Sequence, residues 1–325
     1  MSERVIPVTV LTGFLGAGKT TLLSHMLKAE HGLKLAVIEN EVSQTPIDSE
    51  LLGREPVELI TLANGCVCCS IHVELEKALF VLLEKLDQGK LDFERLVIEC
   101  TGVADPAPIA QTFFADEELC GRYVLDGIIT VVDAVNADVH LQETINQAQI
   151  GFADRILLSK TDLAEPSVLE ALKERLARIN SRAPIAVVKH GDVALNEILD
   201  VRGFNLNEDV LPATPPVLRP VLKSADRIQT LVLESDQLLD IEKLSSFMEQ
   251  LLEKHGNRLL RYKGVLAAAD EPRRLIFQGV LRLYGFDFGA QWGAQTPKSV
   301  MVFIGDQLPQ DEIRQGFLAC AISRS

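Results

Sequence analysis

The sequence predicts an α/β fold, a mostly parallel sheet covered on both faces by helices, with a smaller C-terminal α+β domain behind it. Three observations carry this. Apolar runs of strand length alternate with helical patterns from residue 8 to residue 188, the order of elements changes beyond residue 220, and four prolines fall between Leu211 and Pro220. Neither helix nor sheet runs through such a stretch. The expected division is therefore a first domain over residues 1–211, a linker over 212–220 and a second domain over 221–325.

The elements follow in order. Val8-Thr9-Val10-Leu11 reads as a buried strand, and Leu22, Leu23, Met26 and Leu27 mark a helix that should end near Gly32. Leu35-Ala36-Val37-Ile38 is a second buried strand and delivers Glu39-Asn40-Glu41 at its carboxyl end; residues 42–53, polar and interrupted by Pro46, read as a switch loop. Residues 57–62 alternate like a strand and end in Ala63-Asn64-Gly65-Cys66-Val67-Cys68-Cys69-Ser70, with a helix behind it on Leu75, Leu79, Leu82, Leu83 and Leu86. Strands then run through residues 95–98, 127–133, 155–159 and 184–188, with a helix from Pro166 to Ile179. The second domain should hold a strand over 228–233, a helix over 241–254, three apolar strands over 264–268, 275–284 and 299–304, and a short helix opening at Asp311.

Composition narrows the function classes. A 325-residue chain that is 47% apolar buries one large core or two smaller ones. Its 32 Lys and Arg against 46 Asp and Glu give a formal charge of −14, which disfavours nucleic acid and anionic membrane as partners. Met1-Ser2-Glu3-Arg4 leads straight into the first strand and no apolar run spans a bilayer, so the expected location is the cytoplasm, where the six cysteines stay reduced. Cys100, Cys120 and Cys320 stand alone in apolar surroundings and are expected in the core.

The chemistry begins at Thr12-Gly13-Phe14-Leu15-Gly16-Ala17-Gly18-Lys19-Thr20-Thr21, a G-x-x-x-x-G-K-T run between strand and helix. Glycines 13, 16 and 18 let the backbone N–H groups turn inward on a phosphate, Lys19 reaches the β- and γ-phosphates, and the Thr20 hydroxyl can hold magnesium. The fold expected from this motif is the P-loop NTPase. Residues Gly13, Gly16, Ala17, Gly18, Lys19, Thr20 and Thr21 thus form the expected nucleotide cradle. Glu99, ending a strand, has the position of a Walker B acid that supports the magnesium, and Gly102 offers an N–H to the γ-phosphate. Ser159-Lys160-Thr161-Asp162 resembles the [N/S/T]-K-x-D motif that reads guanine: the Asp162 carboxylate accepts from N1–H and the 2-amino group, and the stem of Lys160 packs on the base. Asn180 can seat the purine or cap a helix. For the residue that orients the attacking water, Glu41 and Asp48 are open alternatives.

Cys66, Cys68 and Cys69 are soft ligands for Zn(II) or Cu(I). A closed structural zinc site takes four ligands. A loop that offers two or three sulfurs suits a site that gives its metal away.

Taken together, these motifs resemble, in order and spacing, the CobW-like P-loop GTPases that act as metallochaperones, and Arg261-Tyr262-Lys263-Gly264 and Val302-Phe303-Ile304-Gly305 resemble that family's carboxyl-terminal domain. The resemblance implies a GTPase using GTP and Mg2+ that binds Zn2+, or Co2+ in some members, at the Cys-x-Cys-Cys loop and hands it to client metalloproteins. It also implies Glu39 and Cys68 as metal ligands. The family commonly carries a second acid where Gln44 stands here, and the histidine-rich linker of some members is absent. A homo-oligomer stays open. Two other readings remain: a P-loop kinase of a small metabolite, and a non-enzymatic zinc or redox sensor using the thiols alone.

Overall fold

The centre of the first sheet is β1 (Ile6–Gly13), whose residues are buried on both faces except for the half-buried Pro7. A strand covered on both sides must read as a nearly continuous apolar run, as Ile6-Pro7-Val8-Thr9-Val10-Leu11 does. The chain continues through α1 (Lys19–Lys28), β2 (Leu35–Glu39), β3 (Glu58–Thr61), α2 (Ser70–Asp87), β4 (Arg95–Glu99), α3 (Pro106–Ala115) and α4 (Glu117–Arg122). Then come β5 (Tyr123–Asp133), α5 (Ala137–His140), α6 (Thr144–Phe152), β6 (Arg155–Ser159), α7 (Pro166–Ile179) and β7 (Ile185–Val187). These coordinates are a computed structural model that describes residues 5–29, 32–39, 58–61, 70–201, 203 and 226–322.

Among the described residues the first sheet has seven strands in the order β3-β2-β4-β1-β5-β6-β7, every pairing parallel. From β1 the chain moves outward to β2 and β3, returns through β4, and then builds β5 to β7 on the other side. That reversal opens a crevice at the carboxyl ends of the central strands. Of the five α2 leucines read from the pattern, Leu75, Leu79, Leu82 and Leu83 are at most 4% exposed, and Leu86 in the last turn is half-buried. α3 starts where Asp105 accepts from the Ala107 N–H at 2.9 Å, with Pro106 at the first helical position.

The chain divides into two compact units, Met1–Arg175 with Ala183–Phe204 and Leu176–Arg182 with Asn205–Ser325. The second contains β8 (Ile228–Ser235), α8 (Ile241–His255), β9 (Leu259–Leu266), β10 (Arg273–Val280), β11 (Leu283–Gln291), β12 (Ser299–Asp306) and α9 (Gln310–Ala319). Its sheet runs β11-β10-β9-β12-β8, all antiparallel. Asp240 caps α8 by accepting from the Glu242 and Lys243 N–H groups. The α8 residues Leu244, Met248, Leu251 and Leu252 join Tyr262, Phe277, Phe303 and Phe317 in one core, each buried aliphatic side chain contributing roughly 1.5–3 kcal/mol.

Three expectations need correction. The run 275–284 is two strands, because the chain reverses at Leu281-Arg282 and pairs Val280 with Leu283; four strands, not three, follow α8. Helix α1 ends at Lys28, short of Gly32. Cys120 is exposed, since the short α4 turns Leu119 inward and the next residue out, whereas Cys100 and Cys320 are buried. The expected linker, 212–220, lies outside the described residues.

Candidate functional site: a phosphate loop beside two strand-end carboxylates

β1 ends by turning its backbone against β5. Gly13 has φ +130°, and a Cβ there would lie 2.1 Å from the Val131 carbonyl oxygen, so only glycine permits the approach. Phe14 N–H then donates to that carbonyl at 3.1 Å, and Ala17 N–H to the Phe14 carbonyl at 3.1 Å, closing the loop. Gly16 and Gly18 follow at φ +70° and +96°, and α1 starts at Lys19. The Lys19 ammonium donates to the carbonyls of Gly13 at 3.0 Å and Phe14 at 3.1 Å, and only 7% of the residue is exposed. Burial draws its pKa below the ordinary lysine value, while Glu99 and Cys100 pull the other way. Thr20 and Thr21 are exposed at the helix start.

The Thr20 hydroxyl donates to Glu99 Oε1 at 2.8 Å. Glu99 ends β4 and Glu39 ends β2, and the two strands pair with Glu39 directly opposite Glu99. Both acids are buried, at 2% and 9% exposure. One residue on, Cys100 N–H donates to the Leu11 carbonyl at 2.8 Å, holding the β4 exit against β1. Gly102 touches the phosphate loop: a Cβ on it would stand 2.5 Å from Leu15 Cα.

Ser159-Lys160-Thr161-Asp162, the motif expected to read the base, is tied to the same loop. The Ser159 hydroxyl lies 2.7 Å from the Ala17 carbonyl and 3.2 Å from the Val132 carbonyl. Lys160 is in the left-handed region at φ +55°, and its ammonium donates to Asp133 Oδ2 at 2.7 Å. Asp133, 1% exposed, also accepts from the Val135 N–H and the Asn136 side chain, both at 2.9 Å. Burial works to raise this carboxyl, but the hydrogen bonds from Lys160, Asn136 and Val135 outweigh it and hold it below the usual range. Asp162 is exposed in the turn that follows. Asn180 belongs to the stretch grouped with the second unit; it is buried and accepts from the Arg182 N–H at 3.1 Å. Glu41, Gln44, Asp48, Cys66, Cys68 and Cys69 lie outside the described residues.

A family model described as CobW/HypB/UreG, nucleotide-binding domain, matches residues 7–187, and one described as cobalamin synthesis protein cobW C-terminal domain matches residues 228–321. The chain belongs to the CobW family. It is 53% identical over 313 residues to the zinc chaperone YjiA of Escherichia coli K12, covering 96% of this chain and 98% of that one. It is 40% identical over 208 residues to the zinc-regulated GTPase metalloprotein activator 1 of Schizosaccharomyces pombe, covering 61% of this chain and 50% of that one. The crystal structure of Zn(II)-bound YjiA GTPase from E. coli matches with a TM-score of 0.84 at 48% identity, over 98% of this chain and all of that one.

Within this CobW-family chain the oxygen-only set at the start of α1, the Thr20 hydroxyl with the Glu99 carboxylate behind it, suits a hard divalent cation such as magnesium. Two residues of the site escaped the sequence reading. Asp133 is one; its signal is an acid at the end of the strand beside Lys160. Gln149 is the other, 0% exposed in α6, where Asn146 and Gln147 are buried polar residues as well. Among the described residues no helix is long and apolar enough to cross a membrane, and no cluster of three His, Cys, Asp or Glu side chains forms a metal site.

Proposed function

We propose that this chain is a GTP-hydrolysing metallochaperone that takes up zinc on Cys66, Cys68, Cys69 and Glu39 and passes it to client metalloproteins in the cytoplasm. The observation that carries the reading is the strand register: Glu39, the expected zinc-side acid, stands opposite Glu99, the acid bonded to the first turn of the phosphate-loop helix. A change in phosphate occupancy felt by Glu99 thus has a short path to Glu39. The zinc-bound E. coli relative, alike over nearly the whole chain, supports the same reading. On this reading the nucleotide and metal work falls to residues 1–211, ahead of the 212–220 linker and the second domain over 221–325.

Hydrolysis of GTP is a matter of positioning and charge. The Gly13, Gly16, Ala17 and Gly18 backbone holds the phosphates, and Lys19 moves its ammonium from loop carbonyls onto phosphate oxygens. Magnesium, held by Thr20 with Glu99 behind it, would neutralise charge on the β- and γ-oxygens. Lys160 and Asp162 read the base, with Ser159 and Asp133 fixing their position relative to the loop.

The base assignment is tested by Asp162→Asn. Asparagine offers one acceptor and one donor, which matches the N1–H and 2-oxo group of xanthine and mismatches guanine. The variant should lose GTP hydrolysis by about a hundredfold or more and recover with XTP. Unchanged GTP turnover would overturn the assignment, and phosphate found on an acceptor rather than as inorganic phosphate would favour a kinase.

A further inference from the structure

The turn between β4 and α3 is held from both sides. On one side Gly102 lies against the phosphate loop, within 2.5 Å of Leu15 Cα for any added Cβ. On the other, the Gln149 side-chain amide on α6 donates to the Gly102 carbonyl at 3.3 Å and to the Ala104 carbonyl at 3.0 Å. Gln149 is itself fixed, because the buried Thr130 hydroxyl on β5 donates to its backbone carbonyl at 2.8 Å. Val103, between the two clasped carbonyls, is 58% exposed, so apolar packing of its side chain does not hold the turn. The amide does.

The arrangement has a cost. Gln149 Oε1 is buried with no hydrogen-bond partner among the described residues, and an orphaned buried acceptor is destabilising. An apolar side chain of similar length would fill the same space without that cost. It would also release the turn.

We propose that Gln149 is a positioning residue for GTP hydrolysis. By clasping the Gly102 and Ala104 carbonyls it fixes the turn whose Gly102 N–H meets the γ-phosphate, and so governs the hydrolytic step and the distinction between GTP and GDP rather than nucleotide binding as such. This rests on the GTPase reading given above. GDP, lacking the γ-phosphate, has no use for the turn and should bind independently of Gln149.

The test uses the full chain and its Gln149→Leu and Gln149→Glu variants, with GTP turnover measured beside affinities for GDP and for a non-hydrolysable GTP analogue. Gln149→Leu should lower kcat by about tenfold to a hundredfold, weaken the analogue and leave GDP affinity unchanged. In Gln149→Glu an ionised carboxylate faces two carbonyl oxygens, whereas the protonated acid can donate to one of them. Its kcat relative to the native protein should therefore rise as pH falls. Native kcat in Gln149→Leu, or parallel losses for GDP and the analogue, would overturn the proposal. Should Gln149→Leu not fold, Gln149→Glu decides alone, and a kcat without recovery at low pH counts against it. A native chain that does not hydrolyse GTP would instead remove the underlying GTPase reading.

Discussion

Lys19 and Cys100 are neighbours in electrostatics as well as in space. The Cys100 thiol, 1% exposed, has its pKa pushed up to about 12 by burial, with Lys19 opposing the shift and Glu99 adding to it. The folded state therefore keeps this proton between pH 9 and 12 while the unfolded chain gives it up. Folding stability falls as pH rises through that window, by about 1.4 kcal/mol per pH unit from this group. Between pH 8 and pH 10 the native chain should lose about 1.4 kcal/mol more than Cys100→Val in urea unfolding, since only the upper half of that range lies above the free thiol's value. Alkylation followed by mass spectrometry should label the exposed Cys120 at pH 8 and spare Cys100; equal labelling of the two would contradict the account. Residues in contiguous motifs, such as Gly13 to Thr21, could be read directly, because spacing alone states their chemistry. Asp133 and Gln149 could not, since their partners, Lys160 and Gly102, are brought to them by the order of strands and helices.

Elements show the same split. Six strands of the first sheet were legible as apolar runs ending in turn residues, and β3 by its alternation. β11 was not. It is an edge strand with half-buried and exposed residues alternating, it contains Gly285 and Gly289, and the turn before it lacks the Asn-Gly or Gly-x signature of a two-residue hairpin. Instead Leu281 takes the first turn position at φ +52°, a conformation that disfavours any residue with a Cβ. Leu281→Gly should stabilise the second unit by about 1 kcal/mol, read as a rise in its urea midpoint with no change in slope. A drop of similar size would mean that packing of the leucine outweighs the backbone relief. The Ser159 contact with Ala17 makes a comparable point in the first unit: the motif proposed to read the base is also a strut for the phosphate loop.

For the molecule as a whole, the account requires that nucleotide and zinc occupancy be linked. Linkage is reciprocal: if GTP tightens zinc by some factor, zinc tightens GTP by the same factor. Delivery to a client needs that factor to be large, and a coupling of about 3 kcal/mol, roughly 150-fold, lies at the upper end of what allosteric proteins achieve. If Glu39 holds zinc as proposed, its register opposite Glu99 sets the two acids on neighbouring strand ends. Zinc titrated into the protein loaded with GDP and, separately, with a non-hydrolysable GTP analogue measures this directly. The account predicts clearly tighter zinc binding in the triphosphate state and an equal gain in analogue affinity when zinc is present; identical zinc affinities in the two states would contradict it.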